Sequence, residues 1–463
     1  MESLIASLFI VVGWTLLLTG CNTTGPKYET PSMPLPAKYR NSVSTTDTEN
    51  RSAIVKGPWW THYGSSELDE LIGQGLANNS DLRIATLQIA QAKIRAAQTK
   101  AGNLPTLTAP ISVAAQGSGG TVNTKQSTQV RLQATYHLDM WGEQRALNES
   151  AELQVSRAVY ERENVQRNMI GSLVSAYIAY LMSCDSLNIA SENESVSKDI
   201  LVTVEKRFAL GDATSNEIEQ QRSALALQQA TMASLEIQRE DIKTTIARLV
   251  GALQADLNLS DMGLDSLVSP SIDVGVPSSL IFQRPDIRMI EAKMRAANAN
   301  IDVARAKLLP PIDLAMQAGY SGVAISQLLQ AQSLFWSSVA SLAVTIFDGG
   351  RREGDKAFAQ SYYEEMVETY RQTIFQAIRE VESAVFNLKA SGMRYDAQKR
   401  SARAALSMFK IASNSYTLGA IDLTTLLDAR KNYQRSLDDS QRTKAELLKV
   451  YASLGQALAA SDE

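Results

Sequence analysis

The sequence predicts a mainly α-helical fold built from two copies of one unit, in which a β-hairpin leads into a long helical hairpin. Two long helical runs, from Gly142 to Leu210 and from Gly350 to Leu418, each contain 69 residues. Both runs end at a Leu-Gly pair, and the two pairs lie 208 positions apart. Strand-like alternation of apolar and polar residues precedes each run. This equal spacing indicates an internal duplication of about 200 residues.

Composition excludes several classes of function. The 463-residue chain carries 45 Lys and Arg against 49 Asp and Glu, and this balance argues against binding to nucleic acid. With two His and two Cys, local spacing provides no set of metal ligands. Phosphate-binding glycine loops, nucleophile elbows and paired zinc-binding histidines are missing from the sequence. We therefore expect no enzyme activity, no cofactor and no metal site.

The N-terminus resembles a bacterial lipoprotein signal peptide over residues 1–20. Leu4 to Leu18 is apolar, and Leu-Thr-Gly-Cys then places cleavage before a lipidated Cys21. The alternative is an uncleaved membrane anchor, but this 15-residue run is shorter than the roughly 20 residues that span a bilayer. Residues 21–65 would form a lipid-anchored, extended leader. The resemblance implies that Asn22 directs the protein to the outer membrane of a Gram-negative bacterium.

The duplication sets the expected domain boundaries, because both repeats share one order of elements. The first repeat covers residues 66–270, with a leading helix, a β-hairpin at 105–139 and a helical hairpin at 142–251. The second covers residues 271–463, with a leading helix, a β-hairpin at 311–347 and a helical hairpin at 350–458.

The predicted β-hairpins have one apolar and one polar face. In the first, the polar face carries Gln129, Arg131, Gln133, Thr135 and His137. In the second, alternation runs from Ile312 to Tyr320 and again from Ala340 to Ile346. One interpretation is a pair of surface hairpins on a soluble sheet, and the other is transmembrane strands with lipid on one side and water on the other. After Leu18 we expect no further helix of membrane-spanning length, so any further crossing would use strands.

The long helical runs predict coiled-coil packing. At a rise of 1.5 Å per residue, 69 residues extend roughly 100 Å, far beyond an ordinary globular helix. The apolar stripe in the first run indicates packing, not a cofactor site, and consists of Ile170, Leu173, Val174, Tyr177, Ile178 and Leu181. After each Leu-Gly pair, a good helix-capping residue follows at Thr214 or Asp422. Each run is therefore expected to reverse in a tight turn.

Two hairpins supply four strands, and four strands cannot close a membrane barrel. The smallest barrels have about eight strands, and open sheet edges are unstable in lipid. If the strands cross a membrane, three protomers that share one barrel would supply twelve strands. A soluble sheet needs no such assembly, but it gives no reason for the length of the two long helices.

Six segments of the sequence carry a family resemblance. They are GPWWTHYGSSELDELI from Gly57, NNSDLRIA from Asn78, LDMWGEQR from Leu138, QRPDIRMIEAKMRAANANIDVARAKLLPPIDL from Gln283, IFDGGRR from Ile346 and YTLGAIDLTTLLDAR from Tyr416. Across nearly all of the mature chain they resemble the TolC-like outer membrane factor family, in its lipoprotein (NodT-type) branch. The resemblance implies a homotrimer with a shared twelve-stranded barrel among outer membrane lipids and a trimeric α-helical tunnel. It also implies export of small molecules from an inner-membrane efflux pump through a periplasmic adaptor (membrane fusion protein).

The same resemblance implies where the functional residues lie. The polar face of the first β-hairpin would line the lumen of the barrel. The turns of the helical hairpins would ring the periplasmic entrance and dock the adaptor through Leu210, Gly211, Leu418 and Gly419. Asp428, in the segment LLDAR, matches an acidic position that constricts this entrance, and Arg430 follows two residues later. The alternative for Asp428 is an ordinary solvated carboxylate.

Three other functions remain open at this point. The chain would be the outer membrane part of a protein secretion system, a periplasmic adaptor, or an elongated coiled-coil scaffold without a pore. Adaptors usually carry one helical hairpin between paired β-halves, so the duplicated unit argues against the second of these.

Overall fold

The computed structural model describes residues 28–33, 58–116, 125–270, 278–323 and 330–458. The expected signal peptide and its lipidation site at Cys21 lie outside these residues, as does most of the expected leader.

The described chain is mainly helical, and in both halves helix is followed by strands, then by a long helix and a shorter one. The first half contains α1 (Ser66–Asn78), α2 (Ser80–Ala101), β1 (Thr106–Thr108), β2 (Ile111–Gln116), β3 (Lys125–Leu138), α3 (Glu143–Ala209) and α4 (Ser215–Val250). The second contains α5 (Pro285–Ala306), β4 (Ile312–Gly322), β5 (Leu334–Leu342), α6 (Arg351–Thr417) and α7 (Leu423–Leu458). Helices α3 and α6 both have 67 residues, and α4 and α7 both have 36. Equivalent helices in the two halves are therefore equal in length.

Side chains just before the helices satisfy backbone groups that the first turn leaves free. The Ser65 hydroxyl accepts a hydrogen bond from the Leu68 amide at 3.2 Å at the start of α1. The Asp139 carboxylate accepts the amides of Gln144 and Arg145, at 3.1 and 2.9 Å, in the first turn of α3. These caps explain why the helices begin where they do.

The strands form one antiparallel sheet in which β1 and β2 both pair with β3, β3 pairs with β4, and β4 pairs with β5. Strand β5 ends at Leu342, so Val344 and Ile346, which the alternation placed in a strand, lie beyond it. The cause is the partner strand: Leu342 pairs with Ile312, and the residues before Ile312 are two prolines. Proline has no amide hydrogen, so the ladder ends there.

One compact unit, called here the sheet unit, comprises residues 28–33, 88–159 and 289–371 of the described chain. It contains the whole sheet. The Trp141 indole donates to the Pro310 carbonyl at 2.7 Å, and the Gln144 amide donates to the Thr99 carbonyl at 2.7 Å. These bonds join the start of α3 and the residue Trp141 before it to the segments that flank the strands.

The second compact unit, called here the helical unit, comprises described residues within 58–87, 160–288 and 372–458. Its core includes the stripe predicted for the first long helix, and every member of that stripe is buried. The two compact units cut across the two sequence repeats, since each repeat contributes to both.

Among the described helices, α3 contains a stretch long and apolar enough to cross a membrane by composition alone. This differs from the expectation of no such segment after the signal peptide. Because 67% of that stretch is buried inside the protein, its composition is that of a core helix.

A charged cluster joins four helices in the helical unit, α3, α5, α6 and α7. Arg284, in the QRPD segment, is 2% exposed and donates to Asp286 and to Glu380, both at 2.7 Å. It also donates to the Ala457 carbonyl at 3.2 Å, and Arg167 donates to Asp286 at 3.0 Å. The buried guanidinium is therefore paired with carboxylates, as burial of a charge requires.

Candidate functional site

The two Leu-Gly pairs form the same turn in both helical hairpins. Gly211 has φ 75° just after α3, and Gly419 has φ 72° just after α6. In each turn the glycine amide donates to the carbonyl three residues earlier, and the next amide donates to the carbonyl five residues before it. This pair of bonds is the Schellman motif, in which glycine adopts the left-handed conformation at little cost. The predicted tight reversals are therefore confirmed.

Capping side chains hold the second side of each turn. The Thr214 hydroxyl accepts the Glu217 amide at 3.3 Å, and the Glu217 carboxylate accepts the Thr214 amide at 2.6 Å, so the two residues form a capping box. In the other turn the Asp422 carboxylate accepts the Thr425 amide at 2.8 Å. Hydrogen bonding to Thr425 lowers the pKa of Asp422 below its ordinary value.

Leu210 and Leu418 occupy equivalent positions in the two turns, and both extend into solvent. Their exposed fractions are 84% and 83%. A large apolar side chain at each exposed turn, held by a fixed backbone, is a feature of contact surfaces.

The two turns belong to the same compact unit and contact each other. A small apolar cluster of Ile200, Val204, Tyr416, Leu423 and Leu426 joins α3, α6 and α7. Arg207, near the end of α3, lies with its guanidinium carbon 4.9 Å from the centre of the Tyr416 ring. The first turn is thus packed against the second within one chain.

Arg430 is buried against α3, with 5% of its surface exposed. Its Nη1 donates to the Ser197 hydroxyl at 3.1 Å, and its Nη2 donates to the Asn193 carbonyl. Gln221 on α4 donates to the Ser197 carbonyl at 2.8 Å. Within the described residues no carboxylate pairs with Arg430, and burial lowers the pKa of its guanidinium. Arg430 therefore ties α7 to α3, a role that sequence reasoning did not foresee.

The repeat-equivalent residue, Arg222, has a different environment. It is exposed and pairs with Glu219 at 2.8 Å and with Glu205 at 3.5 Å. At the corresponding positions of the second repeat, the sequence has Leu427 and Ser413. Neither position supplies a carboxylate in the second repeat, and the partners of Arg430 are neutral.

Asp428 lies on α7 with its side chain exposed. Among the described residues, its carboxylate makes no hydrogen bond and no ion pair. Arg430 is two positions further along the helix, and residues with that spacing point to different sides. The structure therefore separates the two residues that the sequence analysis grouped as a gate.

The sheet has two chemically distinct faces. The five polar residues predicted for β3 share one face, on which the Gln317 amide donates to the Ser337 hydroxyl at 2.9 Å and His137 Nδ1 lies 2.9 Å from Asp313 Oδ1. The opposite face carries exposed apolar side chains that include Ile111, Leu132, Met316 and Trp336. An exposed apolar face opposite a polar one is the pattern of strands between lipid and water.

Known proteins resemble this chain over nearly all of its length. The family model described as outer membrane efflux protein matches residues 71–252 and 276–460. The pyoverdine export outer membrane protein OpmQ of Pseudomonas putida is 30% identical, over 96% of this chain and 95% of its own. The cation efflux system protein CusC of Escherichia coli is 27% identical, over 95% of this chain and 97% of its own.

Among solved structures, the CmeC outer membrane channel of Campylobacter jejuni has a similar fold. It is 20% identical, the TM-score is 0.86, and the match covers 94% of both chains. The likeness shows that this arrangement of helices and strands is one that an outer membrane channel adopts.

Proposed function

The chain belongs to the outer membrane efflux protein family, and we propose that three copies of it share one twelve-stranded barrel and one helical tunnel. It is the outer membrane channel component of an efflux system. Members of the family form trimers and work with a periplasmic adaptor and an inner-membrane pump. The observation that carries the proposal is the two-faced sheet, which is open at both edges in one chain.

The open edges call for other copies of the chain. Strands β1 and β2 occupy one edge of the sheet, and β5 occupies the other. Backbone groups in lipid need hydrogen-bond partners, so neither edge is stable there alone. Pairing of β5 with β1 and β2 of the next copy closes a ring. Three copies then supply twelve strands, with β1 and β2 counted as one interrupted strand. The apolar face contacts lipid, and the face with Arg131 and His137 surrounds water.

Detergent-extracted protein tests this assembly directly. We expect light scattering to give the mass of three chains and planar bilayers to show discrete conductance steps. A monomer that does not conduct would contradict the channel and favour a scaffold.

The two helical-hairpin turns are the proposed docking points for the adaptor. The support is their shared geometry, in which Leu210 and Leu418 are exposed on turns held by Gly211 and Gly419. Exposed leucines on a fixed backbone bury apolar area at small entropic cost when a partner binds. Polar substitutions at both leucines are expected to reduce cross-linking to the adaptor, while the trimer mass stays unchanged.

Asp428 is the proposed charge at the periplasmic entrance. The support is its exposure and its lack of a partner among the described residues, together with its place in the LLDAR segment. Three copies around a symmetry axis would bring like charges together, attract cations and repel one another. Arg430 has a separate proposed role, which is to fasten α7 to α3 beside this entrance through Ser197 and Asn193.

The membrane anchor is proposed at Cys21. Several acyl chains on that residue would hold the leader at the outer membrane, since a single chain gives only marginal binding. The relative named probable outer membrane lipoprotein SilC, of Salmonella typhimurium, supports a lipoprotein.

Small solutes are the proposed cargo. The relatives are named for pyoverdine export and for cation efflux, which supports small molecules over secreted proteins. Protein secretion would require passage of a polypeptide. If cells export a small toxic compound only when this chain is present, the result supports efflux over secretion.

A further inference from the structure

Charged residues are scarce in the segments that form the sheet. From Pro105 to Leu138 the only Lys, Arg, Asp or Glu residues are Lys125 and Arg131, and from Pro310 to Phe347 the only one is Asp313. The electrostatics of the sheet and of the connections between its strands therefore depend on these three residues and on His137.

Glycine leaves space beside Arg131. In the strand register Arg131 pairs with Gly319 on β4, and Gly319 pairs with Phe335 on β5. A Cβ atom at Gly319 would lie 2.9 Å from the Cβ of Arg131 and 2.2 Å from the Val130 carbonyl oxygen. Because both distances are shorter than van der Waals contact, the position opposite Arg131 accepts glycine alone.

Among the residues that the structure describes, the charge of Arg131 has no carboxylate partner. Within the described residues it makes no ion pair, and its Nε is shielded from solvent without a hydrogen-bond acceptor. A guanidinium that is not paired with a carboxylate keeps its full attraction for mobile anions.

The carboxylate of Asp313 is too distant to neutralise Arg131. Asp313 lies six positions along β4 from Gly319, which corresponds to roughly 20 Å at the rise of a β-strand. Mobile salt screens charges over about 8 Å at physiological ionic strength. Asp313 is also engaged by His137, with 2.9 Å between Nδ1 and Oδ1. The polar face is thus cationic at Arg131, and its acidic group is confined to the other end of β4.

We propose that Arg131 makes the barrel favour anionic solutes, so that the cargo of this channel is anionic. The inference rests on the proposed trimer, in which symmetry places three Arg131 side chains at one height around the lumen. A ring of unpaired cations raises the local concentration of anions and lowers that of cations. The chemical class implied for the cargo is a small molecule with carboxylate, sulfonate or phosphate groups.

The test is ion selectivity in planar bilayers across a tenfold KCl gradient. Arg131→Gln is expected to reduce the chloride-to-potassium permeability ratio by about twofold or more, and Arg131→Glu is expected to reduce it further. Arg131→Lys keeps the charge and is expected to keep the wild-type ratio. All four proteins share one periplasmic entrance, so the differences report the barrel. An unchanged ratio in Arg131→Gln overturns the proposal.

A second measurement uses the wild-type channel alone. Citrate, a trivalent anion, is expected to reduce the potassium chloride current when added from the extracellular side, and choline at the same concentration is expected not to. Equal effects of citrate and choline would also overturn the proposal. Failure of the proposed function gives a different result, because a protein that is not trimeric or does not conduct gives no current to compare.

Discussion

Arg430 donates a hydrogen bond to the Ser197 hydroxyl at 3.1 Å, and this bond joins two helices whose contact residues lie more than 230 positions apart in the chain. The guanidinium is buried, and its partners are a hydroxyl and a backbone carbonyl. The repeat-equivalent residue, Arg222, is exposed and forms ion pairs with two glutamates. One sequence position in a duplicated unit has thus acquired two different roles. The Arg430 bond closes the seam between α7 and α3 near the turns.

Loss of the Arg430 side chain is the first prediction. Arg430→Ala removes two charge-assisted hydrogen bonds and leaves Ser197 in a dry site, so we expect destabilisation of about 1–3 kcal/mol and a higher single-channel conductance. Thermal unfolding and planar bilayers measure the two effects. Arg222→Ala is the matched control, with an expected stability change within about 1 kcal/mol because its pairs are exposed. Equal effects of the two variants would contradict the fastening role.

The glycine turns give the second prediction. Gly419→Ala places a Cβ on a residue with φ 72°, and we expect a loss of roughly 1–2 kcal/mol in stability. Gly392→Ala is the control, since Gly392 lies inside α6 with open space around it, and there alanine should stabilise by about 0.5–1 kcal/mol. The midpoints of thermal unfolding should therefore move in opposite directions. A shift of both in the same direction argues against the strain at the turn.

Removal of the charge at Asp428 is the third prediction. Asp428→Asn keeps the size of the side chain, and we expect a higher single-channel conductance together with weaker block by divalent cations. The control is Asp438→Asn on the same helix, where the carboxylate pairs with Arg442 at 2.9 Å. If block by divalent cations persists in Asp428→Asn, the proposed role at the entrance is wrong.

The fourth prediction concerns pH and the cap of α7. The hydrogen bond from Thr425 lowers the pKa of Asp422 below its ordinary value of 3.8, so the ionised cap stabilises the fold above that pH. The contribution is lost as the pH falls through the lowered value. We expect the Tm of Asp422→Ala to lie below that of the wild type at pH 6, and this difference in Tm to shrink near pH 3. Asp422→Asn, which also caps helices, should show less pH dependence. A difference that is constant with pH would exclude this role.

Lipidation of Cys21 is the fifth prediction. Cells that express the wild-type chain should incorporate radiolabelled palmitate into it, and Cys21→Ser should abolish the label. Cys184→Ser is the control, because that thiol is buried in the helical unit and should not be acylated. Label that persists in Cys21→Ser would place the acyl group elsewhere.

Local chemistry made the helical hairpins predictable. The positions of the turns follow from Leu-Gly pairs and the capping residues Thr214 and Asp422, all within a few residues of one another. The end of β5 was mispredicted because alternation continues past Leu342, whereas pairing stops at the prolines before Ile312 on another strand. The contacts of Arg430 were not predicted for a similar reason, since its partners Asn193 and Ser197 come from a distant segment of the sequence. The end of β5 and the environment of Arg430 thus depend on contacts between residues that are far apart in the sequence.

Because the sheet has open edges, its folding equilibrium also depends on the concentration of the chain. In a newly exported copy, the described strands leave two rows of backbone donors and acceptors without a neighbouring strand, one along β1 with β2 and one along β5. In the proposed trimer, sister copies supply the missing partners, so mass action governs the stability of the folded sheet. At low expression this equilibrium shifts toward isolated chains. The yield of channels should then rise more steeply than the rate of synthesis.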